Sequence, residues 1–210
     1  VVRDMELLLV DEDQVKGYLP PPLEVKALEG LIKPKDQSVD FEFNLGSGGG
    51  FTIYVNGERY DFESFFSYPD AGWNGLLIEG KSDASEGNWH ISCGDNIVEG
   101  SGIYYTVTRR IEVLPTRVDV YDTFKNLSEE KILGIMIKNR LVKKDPDELL
   151  FRGLPVYGDN ISISEPANPS LFVKKGRSSV GVVAVDDVFR VHSILFKEGD
   201  SIGICDNNFG

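Results

Sequence analysis

The chain has 210 residues, with 22 Lys and Arg against 34 Asp and Glu, so its formal net charge is −12. That balance excludes a binder of nucleic-acid backbones, which needs clustered cations to neutralise phosphates. With 41% hydrophobic and 27% charged residues the composition is that of a folded globular protein, and 22 Gly and 10 Pro without a collagen-like period announce many short elements joined by turns.

Residues 1–37 read as a lead-in or linker arm. Residues 5–10 have strand character, Asp11 to Asp13 form an acidic break, and Tyr18-Leu-Pro-Pro-Pro-Leu23 favours an extended polyproline conformation. Residues 25–32 could make a short helical turn before Pro34. Apolar runs such as residues 7–10 fall far short of the roughly 20 residues that span a bilayer. The opening Val-Val-Arg-Asp-Met-Glu has no leader pattern, so any signal is expected to have been removed or to lie outside the chain.

From Ser38 to Gly210 the pattern is that of one all-β domain. Val39, Phe41 and Phe43 alternate onto one face, and so do Phe51, Ile53 and Val55. Between them the run Gly46-Ser-Gly-Gly-Gly50 lacks the Lys-Ser/Thr ending of a phosphate loop and is expected to be a flexible hairpin tip. Asn56-Gly57, whose residues tolerate positive φ in a type I′ turn, joins that strand to residues 58–68. Residues 103–113 form the longest alternating run, followed by strands at 117–124 and 131–142 around the turn Asn126-Leu-Ser-Glu-Glu130. Further strands are predicted at 171–174, 179–185, 189–196 and 201–205. Strands this long, in a domain well beyond the size of one immunoglobulin module, predict a large antiparallel β-sandwich of two stacked sheets with few or no helices and one wet face.

The succession Asn88-Trp-His-Ile-Ser92, Gly100 to Gly102, Tyr105-Thr-Val-Thr-Arg-Arg-Ile-Glu-Val113 and Arg117-Val-Asp-Val-Tyr-Asp-Thr-Phe-Lys-Asn-Leu-Ser128 resembles the galactose mutarotase-like super-sandwich. Phe62-Glu-Ser-Phe-Phe-Ser-Tyr-Pro69 with Trp73-Asn74 is similar to a substrate-side loop of such domains in glycoside-hydrolase-like and lyase-like proteins. The resemblance covers residues 40–206 and rests on strand texture. It implies a secreted or periplasmic carbohydrate-related module, truncated at its C-terminal end and part of a larger polypeptide. Sugar mutarotases carry a His on the strand that here reads Gly134-Ile-Met-Ile-Lys-Asn-Arg-Leu141. An Arg in that place cannot act as a general acid near neutral pH, which argues against aldose epimerisation.

Six residues stand out as carbohydrate-binding candidates: Trp73, Trp89, His90, Arg109, Asp122 and Arg140. Trp73, expected on a loop, and Trp89 could stack on pyranose rings or serve as core aromatics. His90 is either a sugar contact or an ordinary strand histidine, and His192 reads as a solvated strand position. Asp122 shares a strand face with Val118, Val120 and Phe124, and Arg109 interrupts the apolar face of its own strand; they would either pair or both point into a ligand groove. No catalytic set, metal site or cofactor site can be assembled. Cys93 and Cys205 form either two buried thiols, the favoured reading, or one disulfide.

The expected function is a non-catalytic, cleft-forming module that contacts a saccharide or buttresses a neighbouring catalytic domain. An epimerase or polysaccharide lyase with relocated acid and base residues and a purely structural interdomain module are the alternatives. The acidic charge favours a neutral saccharide over a polyanionic one, and neither nucleic acid nor membrane is an expected partner.

Overall fold

The computed structural model describes residues 40–69, 72–129, 134–164 and 168–206. The readings at residues 5–10, 18–23 and 25–32 lie outside these segments. Within them the protein is all-β, its strands antiparallel and its sheets stacked as in a sandwich. The strands are β1 (Phe41–Leu45), β2 (Phe51–Val55), β3 (Glu58–Tyr68), β4 (Gly72–Leu76), β5 (His90–Gly94), β6 (Ile97–Ser101), β7 (Tyr105–Leu114) and β8 (Arg117–Asn126). They continue with β9 (Ile137–Val142), β10 (Glu148–Phe151), β11 (Leu154–Pro155), β12 (Ile161–Ser164), β13 (Ser170–Lys175) and β14 (Ser178–Val183). After the helix α1 (Asp187–Val191) come β15 (Ser193–Glu198) and β16 (Ser201–Asp206).

Three sheets form where two were expected. An eight-stranded sheet runs β1-β2-β3-β9-β16-β15-β12, and β4 also pairs with β3. Two four-stranded sheets run β11-β10-β13-β14 and β5-β6-β7-β8. Strand β3 organises the large sheet: its first half pairs with β2, its second half with β4 on the same edge, and Asp61 to Phe66 pair with β9 on the other. Its alternation sends Tyr60, Phe62, Ser64 and Phe66 to one face. Tyr60 meets the β10 to β14 sheet through a 2.6 Å hydrogen bond to the Ser178 hydroxyl, and Ser64 meets the β5 to β8 sheet through Arg109. Both small sheets therefore cover the same side of the large one.

Two cores result. One contains Phe51, Ile53, Tyr60, Leu141, Phe151, Val173 and Ile204 with their neighbours; the other contains Phe66, Leu76, Trp89, Val98, Tyr105 and Val107. Leu45 packs against both. Burial of this apolar side is the main stabilising term, at about 25 cal/mol per Å² removed from water. The segment between β4 and β5 is held down by Glu86, whose carboxylate accepts from Asn74 Nδ2 and from the Ile103 amide, each at 2.8 Å.

Several local expectations need correction. The Gly46 to Gly50 run is no free hairpin tip: Gly48, Gly49 and Gly50 are buried, and Gly50 N donates to Leu77 O at 2.7 Å. A Cβ at Gly48 would lie 2.3 Å from Gly80 O, so glycine is required by close backbone approach. Trp73 sits on β4 and not on a loop, because the preceding β3 turns back to pair with it. The strand expected over 189–196 begins as α1: the Asp186 carboxylate accepts from the Phe189 amide at 2.8 Å, Asp187 opens the first turn and Arg190 closes the last. His192 is accordingly the helix C-cap. Strand β9 starts only at Ile137. Cys93 and Cys205 are free, and Cys93 is exposed where a buried thiol was expected.

Candidate functional site

The six candidates fall on three different surfaces. Trp89, Arg109 and Asp122 lie between the sheets. Trp89 is 1% exposed, its Nε1 donates to Gly75 O at 3.0 Å, and its ring fills the space left by Gly100, where a Cβ would come within 2.5 Å. It is a core aromatic with no face open to a ligand. Arg109 is also 1% exposed and meets Asp122 through two parallel bonds, Nε to Oδ1 at 2.8 Å and Nη2 to Oδ2 at 2.7 Å. The pairing alternative thus describes these two residues; the register that sets Arg109 opposite Asp122 on β7 and β8 makes it almost unavoidable. Nη2 also donates to the Ser64 hydroxyl at 2.8 Å, and that hydroxyl donates to Asn139 Oδ1 at 2.6 Å, so Nε and Nη2 of the buried guanidinium are both engaged.

His90 lies on β5, an edge strand, opposite Ser101, and is exposed. Its side of the small sheet points away from the core and shares a row with Ser101, Thr106 and Lys125.

Trp73 and Arg140 remain, and both belong to the outer face of the large sheet. Alternation along β3 turns Asp61, Glu63, Phe65 and Ser67 outward; cross-strand register then adds Trp73 opposite Ser67, Lys138 opposite Phe65, and Arg140 opposite Glu63. Arg140 Nε donates to Glu63 Oε2 at 2.8 Å, Nη2 reaches the same oxygen, and the guanidinium carbon lies 4.7 Å from the centre of the Phe65 ring. The other oxygen of Glu63 accepts from the Ile78 amide at 3.4 Å.

A second unit of the same design follows along the face. Lys138 Nζ donates to Glu198 Oε2 at 2.9 Å and stands 4.4 Å from the centre of the Phe196 ring. The Phe196 ring occupies the space beside Gly203, where a Cβ would come within 2.7 Å of it. Cys205, opposite Lys138, has its thiol pushed above the ordinary range by burial, which leaves it a weak nucleophile.

This face carries aromatic rings set beside paired cations and carboxylates. Phe65 and Trp73, both partly exposed, offer apolar surface to C–H groups, whereas Phe196 is 3% exposed and only supports Lys138; the planar guanidinium and the carboxylate offer donors and acceptors to hydroxyls. Glu63, Phe65 and Lys138 join this face without having been picked out from the sequence; the outward phase of β3 is legible in the alternation, whereas the partner strands come from far along the chain. Among the described residues no group of three or more His, Cys, Asp and Glu side chains is gathered for a metal.

These features define an all-β antiparallel sandwich with an aromatic and ion-paired outer face. Set against protein-family models, curated proteins and solved structures, the chain matches none of them.

Proposed function

We propose that the chain is a non-catalytic β-sandwich module of a larger carbohydrate-active protein and contacts a neutral saccharide through the outer face of the large sheet. One observation carries this reading: Arg140, held between the Glu63 carboxylate and the Phe65 ring, shares that face with Trp73. A guanidinium fixed in this way keeps N–H groups available to vicinal hydroxyls at little entropic cost, and Trp73, about 13 Å further along the same face, supplies a stacking surface for an extended ligand. The acidic net charge of −12 supports a neutral ligand. The super-sandwich texture of residues 40–206 adds the carbohydrate context.

Trp73 and Trp89 are the two tryptophans of the chain, and only Trp73 is on the outer face, so fluorescence separates site from core. Titration with a panel of neutral oligosaccharides is expected to give saturable quenching that disappears in Trp73→Phe and weakens about tenfold in Arg140→Ala, a loss of about 1.4 kcal/mol. A panel that leaves the emission of the folded protein unchanged would falsify the reading.

A further inference from the structure

The open sheet edges differ in how they are protected. Strand β8 carries Arg117, Asp119, Asp122 and Lys125, β1 carries Glu42, and β11 and β12 are very short. Such charges and short lengths are the usual defence of an edge against pairing with another chain. The edges β5 and β14 both lack charge and proline; β14 is the longer of the two and runs on into exposed aliphatic residues. From Ser178 to Val185 the sequence Ser-Ser-Val-Gly-Val-Val-Ala-Val contains no charge and no proline, and among the described residues only β13 pairs with it. Ala184 N donates to Pro169 O on the β13 side. By the alternation of an antiparallel ladder, Ser179, Gly181 and Val183 therefore turn their N–H and C=O groups to the open edge.

Exposed apolar side chains adjoin this edge. Val183 is 60% exposed, Val185 80%, and on α1 Val188 70% and Val191 58%. Four branched aliphatic residues presented to water in one short stretch are a contact surface without its contact.

We infer that β14 pairs with β14 of a second copy of this chain, antiparallel about a two-fold axis near Gly181. The charges at the ends of the strand select this partner and this direction. Lys174 and Arg177 stand at its beginning, beside a Lys175 that is paired with Asp147, and Asp186 and Asp187 lie just beyond its end, Asp187 also meeting Arg190 at 3.3 Å. An antiparallel pair sets the basic end of each copy against the acidic end of the other, whereas a parallel pair would oppose like charges. The axis at Gly181 brings Ser179 opposite Val183, so that all three outward residues exchange backbone bonds.

The test is the molar mass of the full chain by light scattering and sedimentation across concentration. The expected result is a concentration-dependent rise from 23.3 kDa toward twice that value. Ser179→Pro removes an outward N–H without touching the β13 ladder and should raise the dissociation constant about a hundredfold, while Ser179→Ala should leave it unchanged. Arg177→Asp and Asp187→Arg should each weaken the dimer and together restore it, which misfolding cannot imitate. A monomer at every concentration up to about 1 mM, a dimer indifferent to Ser179→Pro, or a monomer whose Gly181 amide is already protected from exchange would each overturn the inference.

Discussion

At the scale of single residues, the buried Arg109–Asp122 pair shows how an anomaly on an apolar face is resolved. Arg109→Ala would strand the Asp122 carboxylate and leave the Ser64 hydroxyl with its bond to Asn139 alone, and should cost about 3 kcal/mol in urea unfolding. Arg109→Met with Asp122→Leu replaces both charges by apolar volume and should cost less than Arg109→Ala alone. Tyr105 supplies a pH signature. Its hydroxyl donates to Phe66 O and accepts from Asn74 Nδ2, both at 3.0 Å, and burial holds its pKa well above the ordinary value of 10.0. A folded-state pKa raised above the unfolded one gives a contribution fully present below about pH 10 and lost as pH rises above it. Tyr105→Phe should therefore flatten the alkaline fall in stability, while losing about 1 to 2 kcal/mol at neutral pH because Asn74 and Phe66 O each lose a partner.

At the scale of elements, glycines act for two separable reasons. Gly57, at φ 81° in the Asn56-Gly57 turn, has open space where a Cβ would go, so Gly57→Ala should cost only the left-handed conformation, about 1 to 2 kcal/mol. Gly48→Ala would drive a Cβ into the backbone of residues 77 and 80 and should cost about 2 to 3 kcal/mol, comparing thermal unfolding of the two variants. The first of these was readable in the sequence and the second was not, for a physical reason. A hairpin turn is fixed by adjacent residues, whereas Gly48 is constrained by a segment about thirty positions on. The same distinction governs the candidate site. Arg109 and Asp122, 13 positions apart on one hairpin, were legible as a pair; Glu63 and Arg140, 77 positions apart, were not, although both strands were foreseen. In α1 the alternation of residues 189–196 lost to a local cap, because the Asp186 carboxylate satisfies an amide that a strand would have left to a neighbour.

At the scale of the whole molecule, the opening charge of −12 gains a location. Around Arg140 and Lys138 the carboxylates are matched, Glu63 by Arg140, Glu198 by Lys138 and Asp61 by Arg59, so the candidate patch is close to neutral although Glu42 stands exposed at the far edge of the same face. Added salt should thus leave saccharide quenching of Trp73 nearly unchanged, and a binding constant that falls steeply with ionic strength would contradict a neutral ligand. The placement of β3 has a consequence for how the chain can be divided. Its Asp61 to Phe66 stretch pairs with β9, and β9 with β16, so every strand after β8 in the large sheet reaches the earlier ones through that one seam. Residues 40–129 and residues 134–206, expressed as two polypeptides, should each be incomplete alone and reassemble on mixing, with recovery of the far-ultraviolet spectrum as the readout. The seam between β3 and β9 is, in effect, a cut line along which the protein could serve as a split reporter.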